Sequence, residues 1–343
     1  MEAGNNFGEK SVFIGMKHFN FYKKIKIVNF FCGFVLLGGL LGCTYVCENE
    51  EDMAPPAGVE FLNVGQGLAV LLSYGGRYAL YDTGPDSVGV IDSLKVRGVD
   101  TLEWVVVSHS HRDHAGGFME MGAALEKALA MRTAGASGTV SRVGNATAIE
   151  SAPQVHVRRL FVGPDTSKGF VRDSVLHLAF RYGIPVDTLV RGVRLSLEAG
   201  GASSMGTAPR IEVLWPPDYI RVGENGASIV LHVEYGEASV LLPGDLDCIG
   251  ERRLLELSPT LSADLMQVGH HGSAGSSSLK FVSQVDPKYA VVSVGEGNSY
   301  GHPANSTVQK FGYVLGDSTR FFRTDRDGNV KFELYENLGV VKP

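Results

Sequence analysis

A chain of 343 residues, 44% hydrophobic and with 43 glycines, has the material for a folded α/β body with many turns and is not a disordered polymer. Its net charge of −6 excludes a protein that coats nucleic acid indiscriminately, because residues 1–42 hold five lysines against two glutamates and leave −9 on the remainder. Four cysteines are too few for a disulfide framework, and nothing resembles a thiolate metal site.

In chain order, Lys17, Lys23, Lys24 and Lys26 precede an apolar run over 27–42 that is short for a membrane span and has the length of a signal-peptide core. It ends in Leu40-Leu41-Gly42-Cys43, which looks like a bacterial lipobox. Residues 1–42 are therefore expected to be a lipoprotein signal peptide, with Met16 as an alternative start, and Cys43 the acylated residue left by cleavage. Residues 43–57, acidic and then proline-bearing, read as a tether to a folded domain over 58–343. The expectation is an exported bacterial lipoprotein, held on a membrane by its lipid anchor, with no protein partner.

Val59 to Leu62, Leu68 to Ser73 and Tyr78 to Tyr81 read as a β-meander closed by Asp82-Thr83-Gly84. A helix from Ser87 to Arg97 and a strand from Leu102 to Val107 lead to the densest stretch, His109-Ser110-His111-Arg112-Asp113-His114. Four metal donors fall within six residues there, between a Val-Val-Val strand and a Gly116-Gly117 pair that opens a helix from Gly117 to Met131. Histidines and an aspartate rarely crowd at a strand end without a cation to hold, and imidazole with carboxylate suits divalent zinc. His109 and His111 can grip one ion while Asp113 and His114 turn toward a second.

Strands follow at Val155 to Val162, Thr188 to Leu197 and Ile211 to Trp215, with a helix from Phe170 to Tyr182. Within 131–195, nine Lys/Arg stand against four acids, either as solvated surface or as a phosphate-facing flap. A hairpin of Ile229 to Tyr235 and Ala238 to Leu242 delivers Asp245 past a strand end. A helix from Ile249 to Leu257, a strand from Ala263 to Val268 ending at His270-His271, and a helix from Ser277 to Gln284 come next. Last are a strand from Tyr289 to Val294, a helix from Asn305 to Leu315, and a hairpin of Arg320 to Thr324 and Val330 to Tyr335 around Asp327-Gly328. The recurring order of strand, polar residue and helix aims Asp82, Asp245, the His270-His271 pair and His302 at one rim.

The His109-to-His114 run resembles the metal signature of the metallo-β-lactamase superfamily. Phe61-Leu62-Asn63-Val64-Gly65-Gln66-Gly67, Leu80-Tyr81-Asp82-Thr83-Gly84, Leu242-Pro243-Gly244-Asp245, Gly269-His270-His271-Gly272-Ser273 and Tyr300-Gly301-His302-Pro303 narrow the resemblance to the metallo-hydrolase domain of ComEC-type competence proteins. It implies a four-layer αββα sandwich and two divalent ions, Zn2+ first and Mn2+ second. It implies His109, His111, Asp113, His114, Asp245 and His270 as ligands, with Asp245 as the bridge. Asn225 stands where the superfamily supplies a further histidine, which predicts a looser first ion. Asp82, Asp113 and His302 are expected to be catalytic, and His271 and Ser273 to touch substrate. Ser273 belongs to a Gly/Ser loop that runs into a helix N-terminus, where free backbone N–H groups attract a phosphate. The leading activity is that of a phosphodiesterase or nuclease whose water is activated between the ions, acting on a phosphodiester or nucleic acid. An ester, lactone or β-lactam hydrolase and a non-catalytic metal-binding lipoprotein are the alternatives.

Overall fold

The strand carrying Val105, Val106 and Val107 is buried on both faces, as an unbroken β-branched run requires of a parallel strand held between layers. Our computed structural model describes residues 54–86, 89–122, 155–164, 169–197, 208–218 and 225–343. The expected signal peptide and the lipobox lie outside the described residues.

The meander is present as β1 (Ala57–Phe61), β2 (Val70–Tyr74) and β3 (Arg77–Tyr81). After α1 (Val90–Val96) and the short β4 (Thr101–Leu102), β5 (Trp104–Val107) lies parallel to β3. A helix over 112–122, α2, is followed by β6 (His156–Val157), β7 (Leu160–Val162), α3 (Phe170–Arg181), β8 (Val186–Thr188), β9 (Arg194–Leu195) and β10 (Arg210–Trp215). The second half runs β11 (Val230–Tyr235), β12 (Ala238–Leu242), α4 (Cys248–Leu257), β13 (Leu265–Gln267), α5 (Leu279–Val285), β14 (Tyr289–Val292), α6 (Asn305–Leu315), β15 (Phe321–Arg323), α7 (Thr324–Asp327), β16 (Val330–Tyr335) and β17 (Gly339–Val341).

Two sheets result, of order β17-β16-β1-β2-β3-β5-β7-β8 and β15-β14-β13-β12-β11-β10-β9, with β4 and β6 as a separate pair. The period of two along each strand sorts side chains into three apolar layers. Tyr81, Val106 and Phe161 meet Val213, Leu231 and Leu242 between the sheets. Their neighbours Leu80, Val105 and Val107 face outward onto Leu94 of α1, Phe118 of α2 and Val175 of α3. On the other side Leu241, Met266 and Val292 pack under Leu254 of α4, Phe281 of α5 and Phe311 of α6. This is the αββα sandwich expected.

Three local readings are corrected. The helix begins at residue 112, so Gly116 and Gly117 lie inside it. A Cβ on Gly117 would meet the carbonyl oxygen of Thr83 at 2.1 Å and one on Gly116 the backbone nitrogen of Asp86 at 2.5 Å, so the pair allows α2 to press against the chain leaving β3. The stretch from Val155 to Val162 is divided between β6, paired with β4, and β7, paired with β5. The terminal hairpin is not formed: β15 lies parallel to β14 in one sheet and β16 antiparallel to β1 in the other. Gly328 does turn the chain, with φ of 67°, but the turn carries it across layers because Phe332 pairs with Val59 on β1 and fills the inter-sheet core.

Candidate metal centre

Strand ends assemble the site. β5 delivers His109 and His111, the first turn of α2 carries Asp113 and His114, β12 leads to Asp245, and β13 leads to the His270-His271 turn. Two groups of donors form: His109, His111 and Asp245, and Asp113, His114 and His271, with the ligand atoms of each group all within 4.8 Å of one another. In the first, His109 Nε2 stands 2.9 Å from His111 Nδ1 and 3.9 Å from Asp245 Oδ2. In the second, His271 Nε2 is 3.1 Å from His114 Nε2 and 3.2 Å from Asp113 Oδ2. Asp245 also reaches the second group, its Oδ1 3.2 Å from His114 Nε2 and its Oδ2 3.7 Å from His271 Nε2.

These donors fit divalent cations. Asp245 is 1% exposed, and its Oδ1 faces nothing nearer than the ring nitrogen of His114 at 3.2 Å, out of hydrogen-bonding alignment, an arrangement that is costly unless positive charge faces it. Burial by itself would raise the Asp245 carboxyl, but His114 and His271 outweigh it and hold the group well below the usual carboxylate range. Burial would likewise lower His114, and Asp245 with Asp82 drive it well above the ordinary imidazole value. His271 is raised the same way, against its burial, by Asp245 and Asp113. The carboxylates thus favour positive charge at these two rings, whose Nε2 atoms, 3.1 Å apart, cannot both carry a proton, and an ion that binds there takes the place of that proton.

Behind the donors sits an orienting layer. Asp82, fully buried, accepts from Ser108 N at 2.6 Å and from Ser108 Oγ at 2.7 Å, and its Oδ2 is 2.7 Å from His114 Nδ1. That contact leaves His114 Nε2 free to face the ion, the usual arrangement of a carboxylate behind a metal-binding imidazole. Asp82, expected to be catalytic, thus lies behind the donors and is not among the residues that line the cleft. On the first group, Ser108 Oγ and Ser228 Oγ flank His109 Nδ1 at 3.1 and 3.3 Å, and Ser228 Oγ also accepts from Asp245 N at 3.1 Å. Neither serine stands out in the sequence; the signal was a small polar residue at the end of an apolar strand. Asn225, the expected substitute ligand, opens the short turn that carries Ser228, and its Oδ1 is buried with no hydrogen-bond partner.

The choice within the His270-His271 pair, which the sequence leaves open and the resemblance gives to His270, falls to His271 in the structure. Both residues adopt left-handed backbone, with φ of 50° and 51°, a strained turn that swings consecutive side chains to opposite sides. His271 is 2% exposed and joins the second group, its Nδ1 held 2.9 Å from Ser293 O. His270 stays half-buried at the rim, 3.6 Å from Asp245 Oδ2. An open cleft of about 370 Å³ covers both groups, lined by Gln66, His111, Arg112, Asp113, Asp245, His270, His271, Tyr300 and His302. His302 is present there as expected. Burial first, then His270 and His271, lower its pKa, which makes it an uncharged hydrogen-bonding group near neutral pH rather than a ready proton donor.

The phosphate expectation at the Gly/Ser loop is overturned. Glu251 of α4, 1% exposed, already accepts from the backbone N–H groups of Ser277 and Ser278 ahead of α5, so the place of an incoming anion is taken by a resident carboxylate. Ser273 lies outside the cleft lining, and its Oγ accepts from Gly275 N at 3.3 Å. Because Ser277 Oγ in turn accepts from Gly269 N, Glu251 braces the turn that presents His271. Glu251→Ala is expected to lower the free energy of unfolding by about 3 kcal/mol, through one buried and one partly buried donor left without a partner, as read by urea denaturation. The basic segment is also largely spoken for: Arg158 pairs with Glu103, Arg159 with Asp187 and Arg194 with Glu212, while Arg191 donates to Leu214 O and Leu257 O. Arg132, Arg142 and Lys168 lie outside the described residues.

A family model described as the metallo-beta-lactamase superfamily matches residues 62–136 and 207–296, the segments that hold both donor groups. The fold is that of the metallo-beta-lactamase superfamily. Its sequence is 27% identical over 321 residues to ComE operon protein 3 of Bacillus subtilis, covering 86% of this chain and 35% of that protein. It is 29% identical over 293 residues to Competence protein ComA of Neisseria gonorrhoeae, covering 84% of this chain and 33% of that protein. The chain thus spans about a third of the length of these relatives. A metallo-beta-lactamase fold protein of Bacillus subtilis superposes with a TM-score of 0.47 at 12% identity, over 80% of this chain and 99% of that one.

Proposed function

We propose that this protein is a metal-dependent phosphodiesterase or nuclease. The observation that carries the reading is the lining of the cleft: over two donor groups that share Asp245, no aliphatic side chain is present, and Gln66, Arg112, His270 and His302 offer hydrogen-bond donors to an anionic, polar substrate. A β-lactam, lactone or ester pocket gains from an apolar wall for the acyl portion, and among the described residues of this cleft only the ring of Tyr300 could serve as one.

His109, His111 and Asp245 would hold one ion and Asp113, His114, Asp245 and His271 the other, Zn2+ being the better match to imidazole and carboxylate donors and Mn2+ the second. When bound, two such ions supply an activated water and neutralise charge on the attacked phosphoryl group. The chain's own residues do the rest. Asp113, partly exposed at the cleft and held far below the usual carboxylate range by His271 and His114 against its burial, stays anionic and keeps His271 oriented. His270 and His302, with ring centroids 6.1 Å apart on the opposite wall, hydrogen-bond the non-bridging oxygens and fix the phosphate. Metal analysis of protein purified without chelator, paired with a phosphodiester, lactone and β-lactam panel, tests the reading; turnover confined to the lactone or β-lactam would reject it.

We further propose that residues 1–42 are removed and Cys43 is acylated, so that the domain works outside the cytoplasm at a membrane surface. No helix among the described residues is long and apolar enough to cross a membrane. Lys23, Lys24 and Lys26, the apolar run and Leu40-Leu41-Gly42-Cys43 support the anchor. Cys43→Ala is expected to move the protein from the membrane to the soluble fraction or to stall the precursor. An unmodified Cys43 in the intact-mass spectrum of protein from its native host would end the idea.

A further inference from the structure

A large aromatic side chain left open to water is unremarked on most surfaces, but here its loop is clamped and its ring lines the reaction cleft. Tyr300 is 69% exposed and stacks on His302, with ring centroids 5.8 Å apart and an interplanar angle of 21°. Beneath it Asn298 Nδ2 donates to His302 O at 2.7 Å and to Gly295 O at 3.0 Å, while Asn298 Oδ1 accepts from His302 N at 3.0 Å. Gly295 N donates to Gln66 Oε1 at 3.2 Å, which ties the loop to another residue of the cleft lining. These bonds fix the loop on either side of the ring, and the stack on His302 leaves the rest of the ring open for a planar group to settle on. Asp113, Asp245 and His271 line the same cleft, so a phosphate bound at the donor groups brings the adjoining part of its substrate past Tyr300.

We infer that Tyr300 is a stacking platform for the nucleobase flanking the bound phosphodiester, which makes single-stranded nucleic acid the substrate class of this cleft. The inference rests on the phosphodiester reading above. Every base has a π-face, so the platform tolerates any sequence, whereas bases paired and stacked inside a duplex have no free face to offer.

The test is fluorescence anisotropy with a labelled oligothymidylate and an abasic strand of the same length, with cleavage of each followed separately on gels. The wild type is expected to bind the thymidylate strand about 5- to 150-fold more tightly than the abasic one. Tyr300→Ala removes most of that difference, Tyr300→Phe keeps it, and Tyr313→Ala, an equally exposed tyrosine on α6 outside the cleft, leaves it intact. A wild type that does not discriminate between the strands, or a Tyr300→Ala variant that still does so in full, overturns the platform. A strand bound with discrimination but never cut keeps the platform and defeats the hydrolysis reading; a strand cut without discrimination does the reverse.

Discussion

Replacing Asp245 with alanine is expected to strip metal from both donor groups together. Its Oδ2 lies 3.9 Å from His109 Nε2 in the first group, and its Oδ1 lies 3.2 Å from His114 Nε2 in the second, so one substitution withdraws negative charge from two places. Loss of even an outer partner of a metal ligand typically reduces affinity by about 10- to 100-fold, and loss of a shared ligand should do at least that at each position. Plasma mass spectrometry after gel filtration should then show a fall from about two ions per chain to well under one, with hydrolysis lost in parallel. Asp113→Ala is the informative contrast, because Asp113 belongs to the second group alone and its loss should leave the first ion in place. Metal content unchanged in the Asp245 variant, or a loss no different from that of the Asp113 variant, would show that Asp245 is not shared.

Asp82→Asn is expected to weaken the second ion by about 10- to 100-fold while leaving the first nearly unaffected. The carboxylate serves Ser108 N, Ser108 Oγ and His114 Nδ1 at once, from a fully buried position with φ of 58°. Asparagine tolerates that left-handed backbone, so the substitution preserves the turn and alters only the chemistry. An amide presents one acceptor and one donor side where the carboxylate presented two acceptors. Either Ser108 N or His114 Nδ1 then faces an N–H, and His114 is no longer held with Nε2 toward the ion. Chelator titration should show the second ion leaving early, with the melting temperature of the metal-free protein little changed. Equal weakening of both ions would mean that Asp82 supports the site as a whole rather than through His114.

Much of this centre was legible in the sequence because its parts are local. His109, His111, Asp113 and His114 lie within six residues, and a strand-to-helix reversal is enough to point them at one spot whatever the rest of the chain does. Asp245 was legible for the same reason, as an acid directly past an apolar strand. Layer assignment was partly legible too: β1 to β3 and β11 to β12 follow from alternation and tight turns, which act between neighbours. The terminal strands were misassigned because a turn signal at Asp327-Gly328 says only that the chain bends, while the partner of β16 is β1, some 270 residues away in sequence.

What only the tertiary structure decided is where individual side chains end up. Consecutive residues such as His270 and His271 have the same composition and the same neighbours, and a strained left-handed turn, braced by Glu251 through the Ser277 loop, sends one inward and leaves the other at the rim. The Gly/Ser loop read as a phosphate cradle because its backbone donors are a local property; that Glu251 fills it depends on α4 packing against α5. Asp82 was expected to be catalytic from the family resemblance, and its neighbours, Ser108 and His114, reach it only once β5 and α2 close over β3. Local chemistry, set by spacing along the chain, determined which residues gather and what they can bind. Packing between distant segments determined which of them form the donor groups, which stand behind those groups and which line the cleft, because burial and hydrogen-bond satisfaction are properties of the assembled layers and not of any stretch of sequence.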